Sequence, residues 1–244
     1  MDKDFITKKE LHNLLVQAGV KAKSVVLLQS SDEAMDAFLG GAASLVEEIL
    51  DMIGPRGTLI VPAFTMNALD PACQNGDTFQ PENWERIRLD HPGYSSRTLP
   101  ADLNREAASA LILHTKAKRT EHPVYSLTWL GGPIPYKPIL DTLDYPLSYQ
   151  HILEDMKSDS AINLLVGVDL DQAIYPLLEA HRRNKDVSIV QSAFVRRVKK
   201  LFEEKFLTSY LDEENREEII NDFNLWKKKS GSVLFQSLRL KAKV

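Results

Sequence analysis

The stretch SVVLLQSSDEAMDAFLGGAASLVEEILDMIGPRGTLIVPAF, residues 24 to 64, decides the fold. Its opening, SVVLLQ, is a short unbroken apolar run, as expected of a strand buried on both faces. Ala42, Leu45, Val46, Ile49, Leu50 and Ile53 then recur with a 3.6-residue period, so a helix is expected with Glu47, Glu48 and Asp51 turned outward. Gly54-Pro55-Arg56-Gly57 reverses the chain, and TLIVPAF (58–64) reads as a second buried strand. Strand, helix and strand within roughly 40 residues form a βαβ unit, which predicts a parallel pair and a right-handed crossover.

Outward from this unit the same rules apply. Thr7 and Glu10 have the spacing of a capping box, Leu11, Leu14, Leu15 and Ala18 share a helical face, and Gly19 supplies a stop. Residues 65–100 carry Pro, Gly, Asn and Asp throughout with no sustained period, a long excursion of the kind that is functional or mobile. A helix is expected over 98–113 with Pro100 in its first turn, and a strand over VYSLTWLG, 124–131. The loop-rich GGPIPYKPILDTLDYPLSY follows. INLLVGV (162–168) is the clearest strand of the second half, and 187–192 suggests another. The segment 194–244 is charged and reads as mostly helical, with a candidate strand at SVLFQSLRL. No repeat, low-complexity tract or linker divides the chain, so residues 1–244 are expected to form a single α/β domain.

Composition narrows the function classes. Of 244 residues 43% are hydrophobic and 26% charged, with a net charge of −4, which argues against sequence-independent binding to nucleic acid. A single cysteine, Cys73, excludes an internal disulfide and a cysteine-built zinc site. The N-terminus lacks the apolar core of a signal peptide, and no run reaches the ~18 apolar residues of a membrane span, so a cytoplasmic protein is expected. Neither a dinucleotide glycine fingerprint, a Walker loop, a GxSxG elbow nor an HExxH pair occurs, and no metal is expected.

Three segments together resemble the aminoglycoside 3-N-acetyltransferase family. GGAASLVEEILDMIGPRGTLIVPAFT (40–65) is similar to its signature of Gly-Gly, helix, GP-x-GTL and a strand ending in P-x-FT. RTEHPVYSLTWLG (119–131) is similar to its R-S/T-x-HP-x-x-S segment, and INLLVGV followed by a helix bearing Glu179 resembles a third block. SVVLLQSS (24–31) lies where the family has a strand ending in H-x-S. The resemblance spans residues 8 to 185. It implies a three-layer α/β/α fold with a mostly parallel or mixed sheet, distinct from the GNAT fold. It also implies acetyl-CoA as co-substrate, and as acceptor an amine of an aminoglycoside or similar aminosugar or polyamine, the chemistry of antibiotic resistance.

An amine protonated near neutral pH is no nucleophile, so a base must take its proton while a donor steadies the oxyanion. In the family Thr and His do this within T-x-x-H-x-x-E. Aligning that glutamate on Glu179 puts Ala173 at the threonine and Pro176 at the histidine; a shift of one residue gives Ile174 and Leu177. The histidine of H-x-S is Gln29. The apolar frame is kept and the polar positions are rewritten.

The candidate catalytic residues are therefore His122, Glu179 and His181, and the candidate coenzyme contacts are Ser30, Ser31, Arg119 and Ser126. Each has a plainer reading. His122 can simply order the turn before Pro123; Ser30 and Ser31 can be turn residues; Glu179 can be an ion-paired carboxylate; His181 can be a solvated imidazole beside Arg182 and Arg183. Asp169 and Asp171 are expected to cap the helix that follows, Tyr175 to be an ordinary half-buried ring, and Cys73 has no base paired with it. The alternative to an enzyme is a relative that has lost catalysis and serves as a binding or regulatory protein. The charged tail offers a route to self-association, a homodimer for example.

Overall fold

The computed structural model describes residues 5–74, 79–95, 100–132 and 143–242; most of the loop-rich stretch after Gly131 lies outside them. The first half contains α1 (Lys8–Ala18), β1 (Val25–Ser30), α2 (Asp32–Met35), α3 (Gly41–Ile53) and β2 (Thr58–Pro62). Next come α4 (Trp84–Asp90), α5 (Arg105–Ile112), β3 (Lys118–Arg119) and β4 (Leu127–Gly131). The second half contains β5 (Ala161–Val166), α6 (Ile174–Arg182), β6 (Val187–Arg197), β7 (Lys200–Tyr210), α7 (Glu213–Ile220), β8 (Phe223–Ser230) and β9 (Val233–Leu240).

Seven strands form one sheet in the order β3-β4-β2-β1-β5-β9-β8. β1 lies at its centre, parallel to β2 on one side and β5 on the other, with Val25 opposite both Thr58 and Ala161. All six of its residues are buried, as the unbroken apolar run requires. Alternation then assigns faces. Val26 and Leu28 pack with Leu15, Leu45 and Ile49 of α1 and α3 and with Leu111 of α5, while Val25 and Leu27 pack with Ile174 and Leu178 of α6 and Ile219 of α7. Helices on both faces of a mixed sheet make the α/β/α sandwich that the resemblance implied.

The capping box at Thr7 forms in both directions, and Gly19 closes α1 in the left-handed region at φ 92°. Glu48 departs from expectation. It is 5% exposed rather than outward, because α1 crosses α3 there: His12 Nδ1 meets its Oε1 at 2.7 Å and Lys8 Nζ approaches Oε2 at 3.5 Å. A helical wheel cannot see a neighbouring helix. The helix expected over 98–113 begins only at Arg105. Asn104 sits in the left-handed region at φ 52°, with its side chain engaged elsewhere.

The larger correction concerns 194–244, read as mostly helical. It is mostly strand. β6 and β7 pair along their full length as a separate two-stranded ribbon, and β8 and β9 complete the main sheet. The ribbon keeps much of both faces in water, so charged residues such as Lys200, Glu203 and Lys205 erase the apolar alternation that marks a strand. Its turn is Val198-Lys199, both at positive φ, without the glycine or asparagine that announces such a hairpin. Lys227, Lys228 and Lys229 are exposed on the edge strand β8, where lysines discourage pairing with another chain.

The excursion after β2 is tied down by Asp70. This buried carboxylate accepts from Arg88 Nε at 2.7 Å, Arg88 Nη2 at 2.9 Å and the Ala72 amide at 2.9 Å. The guanidinium holds it below the usual carboxylate range against the opposing effect of burial. Arg88→Leu strands that carboxylate and is expected to cost about 2–3 kcal/mol, less than for a fully buried pair because Arg88 is half in water. Urea unfolding at pH 7 measures it, and Asp70→Asn in the same background should recover part of the loss.

Candidate active site

A cleft of about 600 Å³ opens beyond the carboxyl ends of β1 and β5. Chain leaving β1 goes to β2 on one side while β5 enters on the other, the switch-point position where open α/β sheets bind ligands. Ser30 and Ser31, nominated from sequence, line this cleft with Asn104, Tyr125 and, among the described residues, four carboxylates: Asp32, Glu33, Asp102 and Asp169. The Ser30 amide donates to Asn104 Oδ1 at 2.7 Å, and Ser31 Oγ accepts from the Ala34 amide at 3.2 Å. Gly167, at φ 67°, lets the loop after β5 approach this turn; a Cβ there would lie 2.6 Å from the Ala34 side chain. Ser30 Oγ is buried and has no partner among the described residues.

Below the cleft lies a knot of amides. Gln29 Nε2 donates to Gln172 O at 2.8 Å, and Gln29 Oε1 accepts from the Ile174 amide at 2.9 Å and from Asn163 Nδ2 at 3.1 Å. Asn163 Nδ2 also donates to Leu27 O, and its Oδ1 accepts from the Tyr175 amide at 3.0 Å. Two side chains from the sheet thus satisfy the first amides of α6, whose cap residue Ala173 has no side-chain oxygen. The expected caps, Asp169 and Asp171, are not used: Asp169 makes no capping bond and Asp171 is exposed at the surface. Gln29, at the family's histidine position, is a structural cross-link with both ends of its amide occupied. Sequence reading passed over Asn163. The signal was a lone amide inside INLLVGV, which burial obliges to find partners.

A second chamber of about 250 Å³ adjoins the cleft, sharing Phe64 and Gln172 as walls. Ala173, Ile174, Pro176 and Leu177 all line it, so both possible alignments of the family's Thr and His fall on its walls. Pro176 lies in the first turn of α6, where its missing N–H costs no helical bond.

The other nominated residues are not brought together with Ser30 and Ser31. His122 is 3% exposed; its Nδ1 accepts from the amides of Val124 at 3.1 Å and Tyr125 at 2.9 Å, and its Nε2–H donates to Leu143 O at 3.1 Å. Both nitrogens are spent on backbone, and burial pushes the imidazole down to about 4. Arg119 Nε donates to Ser126 Oγ at 2.9 Å, and both side chains donate to Ala63 O, locking β4 to the chain after β2. Glu179 lines a different hollow, at the opposite end of β5 beside Ala161. Burial opposes its charge, but Arg182, Tyr149 and Arg183 outweigh this and hold the carboxyl below its ordinary range. Tyr175 is the ordinary buried ring, donating to Met156 O.

His181 has a different geometry. Its Nδ1 meets Asp186 Oδ2 at 2.7 Å, its ring stacks on Tyr145 with centroids 4.7 Å apart, and Nε2 has no partner among the described residues. Asp186 is held below the usual carboxylate range, burial being outweighed by hydrogen bonds from Ser209 and His181. A carboxylate on one nitrogen fixes the orientation of the ring. Ser209 lines the smaller chamber, as does Leu177, one turn before His181 on α6. The dyad stands behind that wall.

The family described as Aminoglycoside 3-N-acetyltransferase matches residues 27–236, past the 8–185 limit set by sequence reading and into the strands of the tail. The SPbeta prophage-derived aminoglycoside N(3')-acetyltransferase-like protein YokD of Bacillus subtilis is 26% identical over 170 residues, 68% of this chain and 62% of that protein. Aminoglycoside N(3)-acetyltransferase IX of Micromonospora chalcea is 29% identical over 168 residues, 68% of this chain and 58% of that one. The chain therefore spans less than two-thirds of the length of either relative in these matches. In fold, the crystal structure of YokD has a TM-score of 0.76 at 22% identity, covering 96% of this chain and 93% of that one. The AAC-IIIb binary complex with CoASH has a TM-score of 0.70 at 15% identity, covering 96% and 92%. With the matched pattern extending over most of its length, the chain belongs to the aminoglycoside 3-N-acetyltransferase family.

Proposed function

We propose that this protein transfers an acyl group from a coenzyme A thioester to an amine of a cationic acceptor, an aminosugar or polyamine. The observation that carries the reading is the acid-lined cleft at the strand ends, with the unpartnered Ser30 hydroxyl in its wall. Asp102 accepts from the Met66 and Asn67 amides, and Asp32 from the Glu106 amide while facing Arg105, so Glu33 and Asp169 are the carboxylates left to attract and orient ammonium groups. The Ser30 hydroxyl suits a carbonyl oxygen, so it fits the amide and thioester end of the donor. No cation lines the cleft among the described residues, so the donor's diphosphate belongs outside it. In this proposal the ammonium loses one proton through solvent to His181, which Asp186 orients behind the wall of the adjoining chamber; the amine nitrogen bonds to the carbonyl carbon, the C–S bond breaks, and the nitrogen's second proton leaves with the thiol.

Thiol release with acetyl-CoA and a panel of aminoglycosides and polyamines tests this. Turnover is expected for the wild type. His181→Ala is expected to lower kcat about 100-fold with KM nearly unchanged. Absence of thiol release with every acceptor, together with no heat of acetyl-CoA binding at millimolar ligand, would overturn the reading. Binding without turnover would point instead to a non-catalytic relative.

A further inference from the structure

The smaller chamber beside the acidic cleft carries chemistry of its own. Phe64, Leu147, Ile174, Pro176 and Leu177 make its walls mostly hydrocarbon, and the amide knot fixes the first turn of α6 so that the space is preformed. Among these walls stands Arg216 of α7. Its Nη2 donates to Leu211 O at 2.9 Å, but its Nε–H is buried with no acceptor, and among the described residues no ion pair joins the guanidinium to a carboxylate. Asp171 lines the same chamber without pairing with it. A buried, unmatched donor on a permanent cation is costly unless a ligand supplies the acceptor, and the planar guanidinium suits a carboxylate.

We infer that the chamber binds a carboxylate on a short aliphatic stem, the stem against the α6 wall and the carboxylate on Arg216. A space of about 250 Å³ admits a stem of a few methylenes and little more. The acidic cleft next door repels such a group, so the two compartments sort a ligand by charge: cation at Ser30, anion at Arg216. The chemistry has two sources. A dicarboxylic acyl group on the donor thioester carries it, and so does an acceptor bearing both an amine and a carboxylate. The two-compartment ligand rests on the acyl-transfer reading; carboxylate binding itself does not.

The first measurement is therefore independent of activity. Glutarate is titrated into the full chain by calorimetry, with glutaramide as the neutral control. Glutarate is expected to bind at least tenfold more tightly than glutaramide. Arg216→Gln should remove that preference, and Leu177→Trp, which fills the chamber, should abolish binding, both with far-UV circular dichroism unchanged. No glutarate binding up to 50 mM (about the weakest useful site), equal affinity for glutaramide, or indifference to both variants overturns the inference. If Arg216→Gln fails to fold, Leu177→Trp decides alone. Comparing succinyl-CoA with acetyl-CoA as donor, and 6-aminohexanoate with hexylamine as acceptor, identifies the source. Thiol release with neutral substrates but no carboxylate preference in either pair rejects the two-compartment ligand and leaves the acyl-transfer reading standing.

Discussion

Asn163→Leu is expected to lower the thermal midpoint by about 10 °C, although leucine has the same branched side-chain skeleton as asparagine and suits an apolar strand. The substitution deletes two donations from Nδ2, to Leu27 O and Gln29 Oε1, and leaves the Tyr175 amide with no acceptor. At about 1–3 kcal/mol for each buried group left unsatisfied, the loss is roughly 3–5 kcal/mol. For a chain of this size each kcal/mol moves the midpoint by about 2–4 °C. A melt followed by far-UV circular dichroism measures the shift. A change below about 3 °C would show that the knot does not hold α6. Because Gln29 and Asn163 share partners, the double variant with Gln29→Leu should lose less than the two single losses combined.

The second large effect is expected from acid. His122 is held down to about 4, against 6.5 for an ordinary histidine. Between those values the unfolded chain carries a proton on this ring and the folded chain does not. Stability should therefore fall as pH drops from about 6.5 towards 4, by roughly 3 kcal/mol in all at 1.36 kcal/mol per pH unit. The carboxylates of Asp70, Glu179 and Asp186, held below their ordinary range, lose their contribution at lower pH still, so the windows separate. His91, also depressed by burial, adds slope of the same sign. Urea midpoints at pH 7, 6, 5 and 4.5 follow the loss. His122→Gln should be weaker than wild type at pH 7 and show a shallower decline; an unchanged slope would mean another group titrates there.

Most of the scaffold could be read without coordinates. The run at 24–29, the periodic face from Ala42 to Ile53 and the run at 162–166 depend on residues a few positions apart, and each became the element expected. The tail could not be read this way. Strands β6 and β7 keep much of both faces in water, so their sequence carries no apolar alternation, and the pairing that makes them strands is visible only once formed. The site divides similarly. Ser30 and Ser31 were nominated because they follow a buried strand, and they line the cleft. His122, Arg119 and Ser126 have the right residue types in the right order, yet their polar atoms are spent on backbone and on each other.

What the amino-acid sequence determined alone is the layered α/β frame, because helix and strand periods are written over neighbouring residues. What only tertiary structure decided is which polar groups are occupied and which are free. Gln29 is engaged by partners more than a hundred residues away, while Ser30 beside it is left unpartnered. Hydrogen-bond competition is settled by whatever arrives from distant chain, so no local pattern can record its outcome.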